Sequence, residues 1–305
     1  MKTNNMTSKK TKVEKGWKDR VFYAICEVIL TLALILVLFP MMNIVSSAFS
    51  NPKAVTSGKV LFWPVDFSLE SFKSVLKFDN VWIGYKNTIF YTVTGTVMNV
   101  MITLFCAYPL AQKQFSGRKF MSKMLLITML FGGGMIPNYL LIRDLDLLNT
   151  RWAVLLPGMM SAYNVIITRT YIETNISGEL EEAARIDGCS PIQFFFRFVI
   201  PLSKTIIAVI TMYYAVGHWN SYFSAFLYLD DKQMYPLQLF LREILLQSQI
   251  DVSAFDDPEL AAQMQSQAEA LKYSIIVIAT APLMFVYPLV QKHFVKGVMV
   301  GSVKG

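Results

Sequence analysis

The sequence predicts an all-α protein, a polytopic bundle of about six transmembrane helices. Hydrophobic residues make up 54% of the 305 positions, charged residues make up 16%, and the mean hydropathy is +0.44. This composition is too apolar for an ordinary soluble domain. Apolar stretches near the ~20 residues that a helix needs to cross a bilayer occupy residues 21–39, 88–111, 123–142, 152–171, 205–229 and 273–290.

The first stretch follows a basic amino-terminal segment, residues 1–20, so a cleaved signal peptide is one alternative. The stretch is too long for a signal peptide and carries Pro40 near its end, which favours an uncleaved first span. The third stretch is the least regular, because it contains Gly132-Gly133-Gly134 and Pro137. Such breaks are tolerated where neighbouring helices satisfy the backbone again.

The distribution of Lys and Arg predicts the orientation in the membrane. With a cytoplasmic amino terminus, more than half of the 28 Lys and Arg residues fall in inside segments, as the positive-inside rule requires. We therefore expect both termini in the cytoplasm. The net charge of +7 mostly reflects this topology, and no basic patch interleaved with aromatic residues indicates nucleic-acid binding.

A polar segment, residues 177–201, separates two apolar stretches and is the most informative part of the chain. Ser177 can cap a helix whose acidic first turn is expected to include Glu182. Gly188 suits the left-handed residue that ends a helix, and Ser190-Pro191 can start the next. The helical spacing of Leu180, Ala183, Ala184 and Asp187 predicts a narrow, small face that a neighbouring surface can approach. On these residues alone, an ordinary cytoplasmic loop is an equal alternative.

The spacing of this segment resembles the EAA loop of ABC-importer permeases. The pattern is Glu182-Ala183-Ala184, Gly188 four residues later, and a hydrophobic pair before Pro201, with Phe198 and Ile200 as conservative departures. The resemblance implies a type I ABC importer permease fold whose coupling helix sits in a cleft of a cytoplasmic ATPase. Its implied coupling residues are Glu182, Ala183, Ala184, Asp187, Gly188 and Pro201.

Asp187 before the glycine and Pro191 after it resemble the carbohydrate branch of this family. The stretch from Gly132 to Pro137 and the stretch from Leu148 to Trp152 are similar to a Gram-positive subgroup linked to oligosaccharide uptake. The implied domains are the segment 1–20, a permease domain 21–292 and a tail 293–305.

The ending resembles the tail of the smaller maltose-type permease, which enters the ATPase dimer interface. The implied interface residues are Lys296, Gly297, Gly301 and Lys304. A basic end attracted to anionic lipid is the alternative, and the glycines predict a flexible strand after Phe294.

The resemblance also implies a set of partners. These are a second, different permease, an ATPase dimer that binds ATP and Mg²⁺, an extracellular sugar-binding protein, a sugar substrate and the lipid of a bacterial plasma membrane. We expect no cofactor or metal on this chain and no catalysis by it. The sequence has no P-loop, no zinc-ligand spacing and no Gly-x-Ser-x-Gly elbow, and its three cysteines are too scattered for a disulfide framework.

Two long segments, residues 51–86 and 230–272, are expected outside. Residues 237–246 predict a short helix that lies on the membrane or on a partner, and Pro258 predicts the start of another, with Asp257 as its cap. The second segment is acidic, and the resemblance implies that it approaches the binding protein. A loop packed against its own spans is the alternative.

Trp219, Asn220 and Tyr222 place polar and aromatic groups in the fifth stretch, so they are candidates for lining a sugar pathway. Interhelical hydrogen bonding with Trp219 as a packing residue is the simpler alternative. The function expected is that of a carbohydrate ABC-importer permease, and the alternatives are a permease for another solute, a membrane enzyme or a scaffold.

Overall fold

The computed structural model describes residues 16–247 and 258–298, and the regular elements among these residues are all helical. In chain order the α-helices are α1 (Trp17–Ala48), α2 (Pro52–Thr56), α3 (Glu70–Leu76), α4 (Asp79–Ala111), α5 (Arg118–Leu130), α6 (Met135–Asp144), α7 (Arg151–Leu155), α8 (Ala162–Asn175), α9 (Gly178–Ile186), α10 (Pro191–Phe194), α11 (Ile200–Leu202), α12 (Lys204–Trp219), α13 (Phe223–Tyr228), α14 (Leu237–Gln247) and α15 (Pro258–Val298). A π-helical turn, Phe195–Val199, joins α10 to α11, and a 3-10 turn, Lys232–Met234, precedes α14. The predicted all-α class is confirmed.

Helix α4 is the centre of the bundle and packs against α8, α12 and α14. Its buried residues include many small or polar ones, namely Gly84, Asn87, Thr88, Gly95, Thr96, Asn99 and Thr103. Small side chains let helix backbones approach closely, and close packing is the main source of helix association in lipid. An added Cβ at Gly95 would lie 2.4 Å from Nε2 of His218 on α12, which shows that the His218 ring packs directly on this glycine.

Among the described residues, three helices are individually long and apolar enough to cross a membrane: α1, α4 and the Met264–Phe285 part of α15. The number rises to five when two bent pairs, α5 with α6 and Pro191–Leu202 with α12, each count as one span. The first pair bends by 114° at the predicted glycine break, where Gly134 has a φ of +85°.

Two further predicted spans are interrupted. Residues 152–171 do not form one helix, because α7 ends at Leu155 and α8 begins at Ala162. Pro157 and Gly158 lie between them, and both residue types disfavour a continuous helix. The fifth predicted span is divided where α12 ends at Trp219, and α13 follows after a three-residue break.

Helix α14 occupies the predicted position and packs within the bundle, which favours the alternative of a segment packed against its own spans. Leu237, Leu239 and Phe240 are at most 2% exposed, because α14 packs against α4 and α15. The backbone N–H of Leu237 also donates to Oγ1 of Thr88 at 2.8 Å. The start of α15 at Pro258 is as predicted, whereas the cap Asp257 lies outside the described residues.

Helix α1 contacts the rest of the chain mainly through its carboxyl end. Its large apolar side chains are exposed from Val21 to Val45, whereas Ser46, Ser47 and Ala48 are buried. The hydroxyl of Ser274 on α15 donates to the carbonyl of Ala48 at 3.3 Å. The exposed apolar surface of α1 suits contact with lipid rather than water.

Candidate functional site

Helix α9 lies between α8 and α10, and Ser177 caps its amino end. The Ser177 hydroxyl accepts a hydrogen bond of 3.3 Å from the N–H of Leu180, as predicted. The first turn contains Glu179 and Glu181, whose charges complement the positive end of the helix. Glu182 lies beyond this turn, so its predicted place in the first turn is wrong; the helix starts at Gly178, four residues earlier.

The carboxyl end of α9 is closed by a Schellman motif around Gly188. The N–H of Cys189 donates to the carbonyl of Ala184 at 2.9 Å, and the N–H of Gly188 donates to that of Arg185 at 3.1 Å. Gly188 has a φ of +81°, the left-handed conformation predicted from the sequence. No atom lies within 4 Å of a Cβ built on Gly188, so conformation and not space favours glycine here.

The two faces of α9 differ in burial, and this separates residues that the sequence had placed together. Ala184 is buried and Leu180 is partly buried against the bundle. Ala183 and Asp187 are exposed, so part of the small face predicted from Leu180 to Asp187 stays open to a neighbouring surface. A three- and four-residue spacing covers about a third of the helix circumference, and the bundle covers only one edge of that arc.

The exposed face of α9 carries Ile186, which is 87% exposed. Ile192, which follows on α10, is 72% exposed. The sequence reasoning did not select either residue, because both lie inside the motif at positions it treated as spacers. Their signal was an isolated large apolar side chain among charged and small residues.

Polar contacts fix α9 to the loop between α4 and α5. Nη1 of Arg185 donates to Oε1 of Gln114 at 2.8 Å, and its Nη2 lies 3.4 Å from Oε1 of Glu181. The hydroxyl of Tyr108 near the end of α4 donates to the carbonyl of Pro191 at 3.4 Å. These contacts lie before and after the carboxyl end of α9. They tie this region to α4 and to the loop that follows α4.

The segment that follows is anchored by aromatic packing. Phe194, Phe195 and Val199 are at most 4% exposed and lie in one core cluster with Leu104 and other residues of α4. Ser190 and Gln193 form the predicted capping box, with Pro191 at the first helical position. Pro201 is exposed and follows the π-helical turn. The chain then bends by 80° into α12.

The candidate pathway residues have different surroundings. Trp219 is 8% exposed, and its indole N–H donates to the carbonyl of Ala279 on α15 at 3.0 Å. Asn220 is exposed and donates to the carbonyl of Val216 at 3.0 Å. Tyr222 is 40% exposed. The structure therefore gives Trp219 the packing contacts of the simpler alternative, and a pathway role for the other two stays a prediction.

The candidate tail is only partly described. Lys296 and Gly297 belong to α15, which continues to Val298, so the strand expected directly after Phe294 is wrong. Gly301 and Lys304 lie outside the described residues.

No group of three or more His, Cys, Asp or Glu side chains among the described residues could hold a metal ion. The candidate site is a short helix, α9, which packs against the bundle on one face and is exposed on the other.

A protein-family model described as binding-protein-dependent transport system inner membrane component matches residues 11–300. The polygalacturonan/rhamnogalacturonan transport system permease protein YtcP of Bacillus subtilis is 36% identical over 291 residues, which cover 94% of this chain and all of YtcP. Protein LplC of the same organism is 38% identical over 268 residues, covering 88% of this chain and 90% of LplC.

Among solved structures, a chain of a bacterial ABC transporter involved in the import of the acidic polysaccharide alginate is similar with a TM-score of 0.82 and 35% identity. The match covers 92% of this chain and 98% of that chain. The resemblance to ABC-importer permeases, first seen in the spacing around Gly188, is thus confirmed over nearly the whole length. The chain belongs to the family of binding-protein-dependent transport system inner membrane components.

Proposed function

We propose that this chain is a permease subunit of an ATP-driven importer of oligosaccharides, coupled to a cytoplasmic ATPase dimer through α9. The observation that carries the proposal is the two-faced burial of α9. Ala184 packs inward while Ile186, two residues later, is 87% exposed. A helix that is capped at both ends keeps its ends ordered, and its open side is available to a partner protein.

The substrate class rests on the relatives. YtcP is named for polygalacturonan and rhamnogalacturonan transport, and the similar solved structure belongs to an importer of alginate. All three are polysaccharides, so we infer that fragments of such a polymer are the cargo. The match to these permeases spans most of both chains, which supports a shared type of cargo more than a single shared domain would.

The proposed assembly contains partners that this chain requires for transport. A second, different permease forms the other half of the pathway, an extracellular binding protein delivers the sugar, and the ATPase dimer binds ATP and Mg²⁺. Both termini lie in the cytoplasm of a bacterial cell, on the same side as α9. The chain itself catalyses no covalent step, and each ligand acts by favouring one conformation over another.

Substitutions on the open face of α9 test this proposal in the copurified complex reconstituted into proteoliposomes. Ile186→Ser and Glu182→Lys should abolish most ATP-driven uptake while the subunit inserts normally, because neither side chain contributes to the buried core. Ile186→Leu is the matched control and should retain uptake. Near wild-type uptake of oligosaccharide by both test variants would show that α9 is not the coupling element.

A further inference from the structure

A basic cavity lies beside the loop that holds α9. Its volume is about 580 Å³, and five cationic side chains line it: Lys113, Arg118, Lys119, Lys123 and Arg169. These residues come from the α4–α5 loop, from α5 and from α8, so three parts of the fold converge on one positive site. Clustered like charges repel one another, so an anion bound among them would be favoured.

The carboxylate of Glu173 lies beside this cavity and is already paired. Oε1 of Glu173 accepts from Arg118 at 2.5 Å and from Arg169 at 2.8 Å, and Nη1 of Arg169 also donates to Ser122 at 2.8 Å. One carboxylate thus holds two guanidinium groups in position. Among the described residues Lys113, Lys119 and Lys123 form no ion pair, and all three are exposed.

Helix α5 strengthens the positive field instead of opposing it. Its first turn contains no acidic residue and carries Arg118 and Lys119, although the amino end of a helix is itself positive. This placement is unfavourable for α5 alone and becomes favourable when an anion with several acceptor oxygens lies at the cavity.

An apolar surface continues from the cavity along α5. Its exposed side chains are Phe120 (67%), Met124 (44%), Ile127 (50%), Leu130 (74%) and Phe131 (75%). A soluble anion would leave this surface without a partner, whereas the acyl chains of a lipid would cover it. The hydrogen bond between Gln114 and Arg185 places the cavity on the α9 side of the bundle, the cytoplasmic side under the proposed function. Anionic headgroups on this side attract clustered Lys and Arg.

We propose that this cavity binds the phosphate headgroup of an anionic phospholipid, with the acyl chains along α5. The two arginines held by Glu173 form the fixed part of the site, and the three lysines close around the phosphate. The inference goes beyond transport and rests on the proposed function only for the side of the membrane that the cavity faces.

The test compares two triple variants of the complex with the same change in charge. Lys113→Gln/Lys119→Gln/Lys123→Gln removes the free cations of the cavity, and Lys53→Gln/Lys59→Gln/Lys73→Gln removes three exposed lysines near α2 and α3. Each complex is reconstituted with mixed phosphatidylcholine and phosphatidylglycerol and washed in detergent, and the bound lipid is quantified by native mass spectrometry. Each lysine near an anionic headgroup changes binding by about fivefold, so we expect retained phosphatidylglycerol to fall by at least about tenfold in the cavity variant and to stay unchanged in the other.

Three results would overturn the proposal. Equal retention of phosphatidylglycerol by the cavity variant and the wild type would show that the cavity does not bind the lipid. Displacement by inorganic phosphate, beyond that by chloride at matched ionic strength, would identify a soluble-anion site. Loss of the ATPase from the purified cavity variant would identify a protein-docking surface. Lipid retention is measured without transport. The lipid proposal can therefore be contradicted or supported independently of the result for oligosaccharide uptake.

Discussion

Nη1 of Arg185 donates a hydrogen bond of 2.8 Å to Oε1 of Gln114, and this contact joins α9 to the loop that follows α4. Arg185 also lies 3.4 Å from Glu181 one turn earlier. The side chain therefore links the exposed helix to the loop that follows the central helix of the bundle. Under the proposed function, this contact is one route by which a movement of α9 reaches the bundle.

Arg185→Ala should weaken this route without abolishing it. An exposed hydrogen bond contributes only ~0.5–1.5 kcal/mol net, and the aromatic anchor at Phe194 remains. We expect stimulation of ATP hydrolysis by the sugar-loaded binding protein to fall by about two- to tenfold, with unchanged complex yield. Glu181→Gln is the control, since it leaves the bond to Gln114 in place. Full stimulation in the Arg185 variant would remove this contact from the coupling route.

Gly188→Leu should disrupt the end of α9 and abolish coupled transport. The strain comes from the backbone, because Gly188 has a φ of +81° and a built Cβ meets no atom within 4 Å. A non-glycine residue in this conformation costs about 1–2 kcal/mol. Uptake by proteoliposomes is the measurement.

Gly188→Asn separates strain from bulk at this position, because asparagine tolerates the left-handed region. We expect it to retain much of the uptake. If asparagine and leucine were equally harmful, the requirement for glycine would come from contact with the partner and not from the helix end.

The sequence predicted where α9 begins and ends, but not which face of the helix packs against the bundle. Ser177, Ser190 and Gly188 act locally, within a few residues of the helix ends, so their roles follow from residue type and spacing. The burial of Ala184 and the exposure of Ala183 depend on which edge of α9 meets α4, and that contact lies 70 or more residues away in sequence. Local periodicity does not contain that information.

The membrane spans were likewise predicted only in part. Hydropathy located the apolar stretches, because burial in lipid is a property of composition. It did not locate the break at Pro157 and Gly158, which persists because Nδ2 of Asn99 donates to the carbonyl of Gly158 at 2.6 Å. A polar residue 59 positions away thus stabilises an interruption that the local sequence only permits.

Gly95→Ala should destabilise the bundle. Its new methyl group would lie 2.4 Å from Nε2 of His218, and overpacking of this kind costs ~1–3 kcal/mol. Gly217→Ala is the matched control, because that helical glycine has no atom within 4 Å of a built Cβ. Thermal unfolding of the two variants in the same detergent should show a lower midpoint for the Gly95 variant alone.

Trp219→Phe should lower stability without changing the concentration of sugar at half-maximal uptake. The substitution removes the indole N–H that donates to the carbonyl of Ala279 at 3.0 Å, at a net cost of ~0.5–1.5 kcal/mol for the lost hydrogen bond. Tyr222→Ala, at an exposed aromatic side chain, is the comparison. A shifted half-maximal concentration for the Trp219 variant would instead support its role in lining the pathway.

Cysteine cross-linking from adjacent alanines of α9 tests the coupling role most directly. Ala183 is exposed and Ala184 is 7% exposed, so Ala183→Cys and Ala184→Cys differ in orientation but hardly in position. The background variant replaces Cys26, Cys106 and Cys189 with Ser. With a short bifunctional thiol reagent and a cysteine in the cleft of the partner ATPase, we predict a cross-link from position 183 that responds to ATP, and at most a trace from position 184. Absence of any cross-link from position 183, or equal yields from both positions, would contradict the docking of α9 in the ATPase.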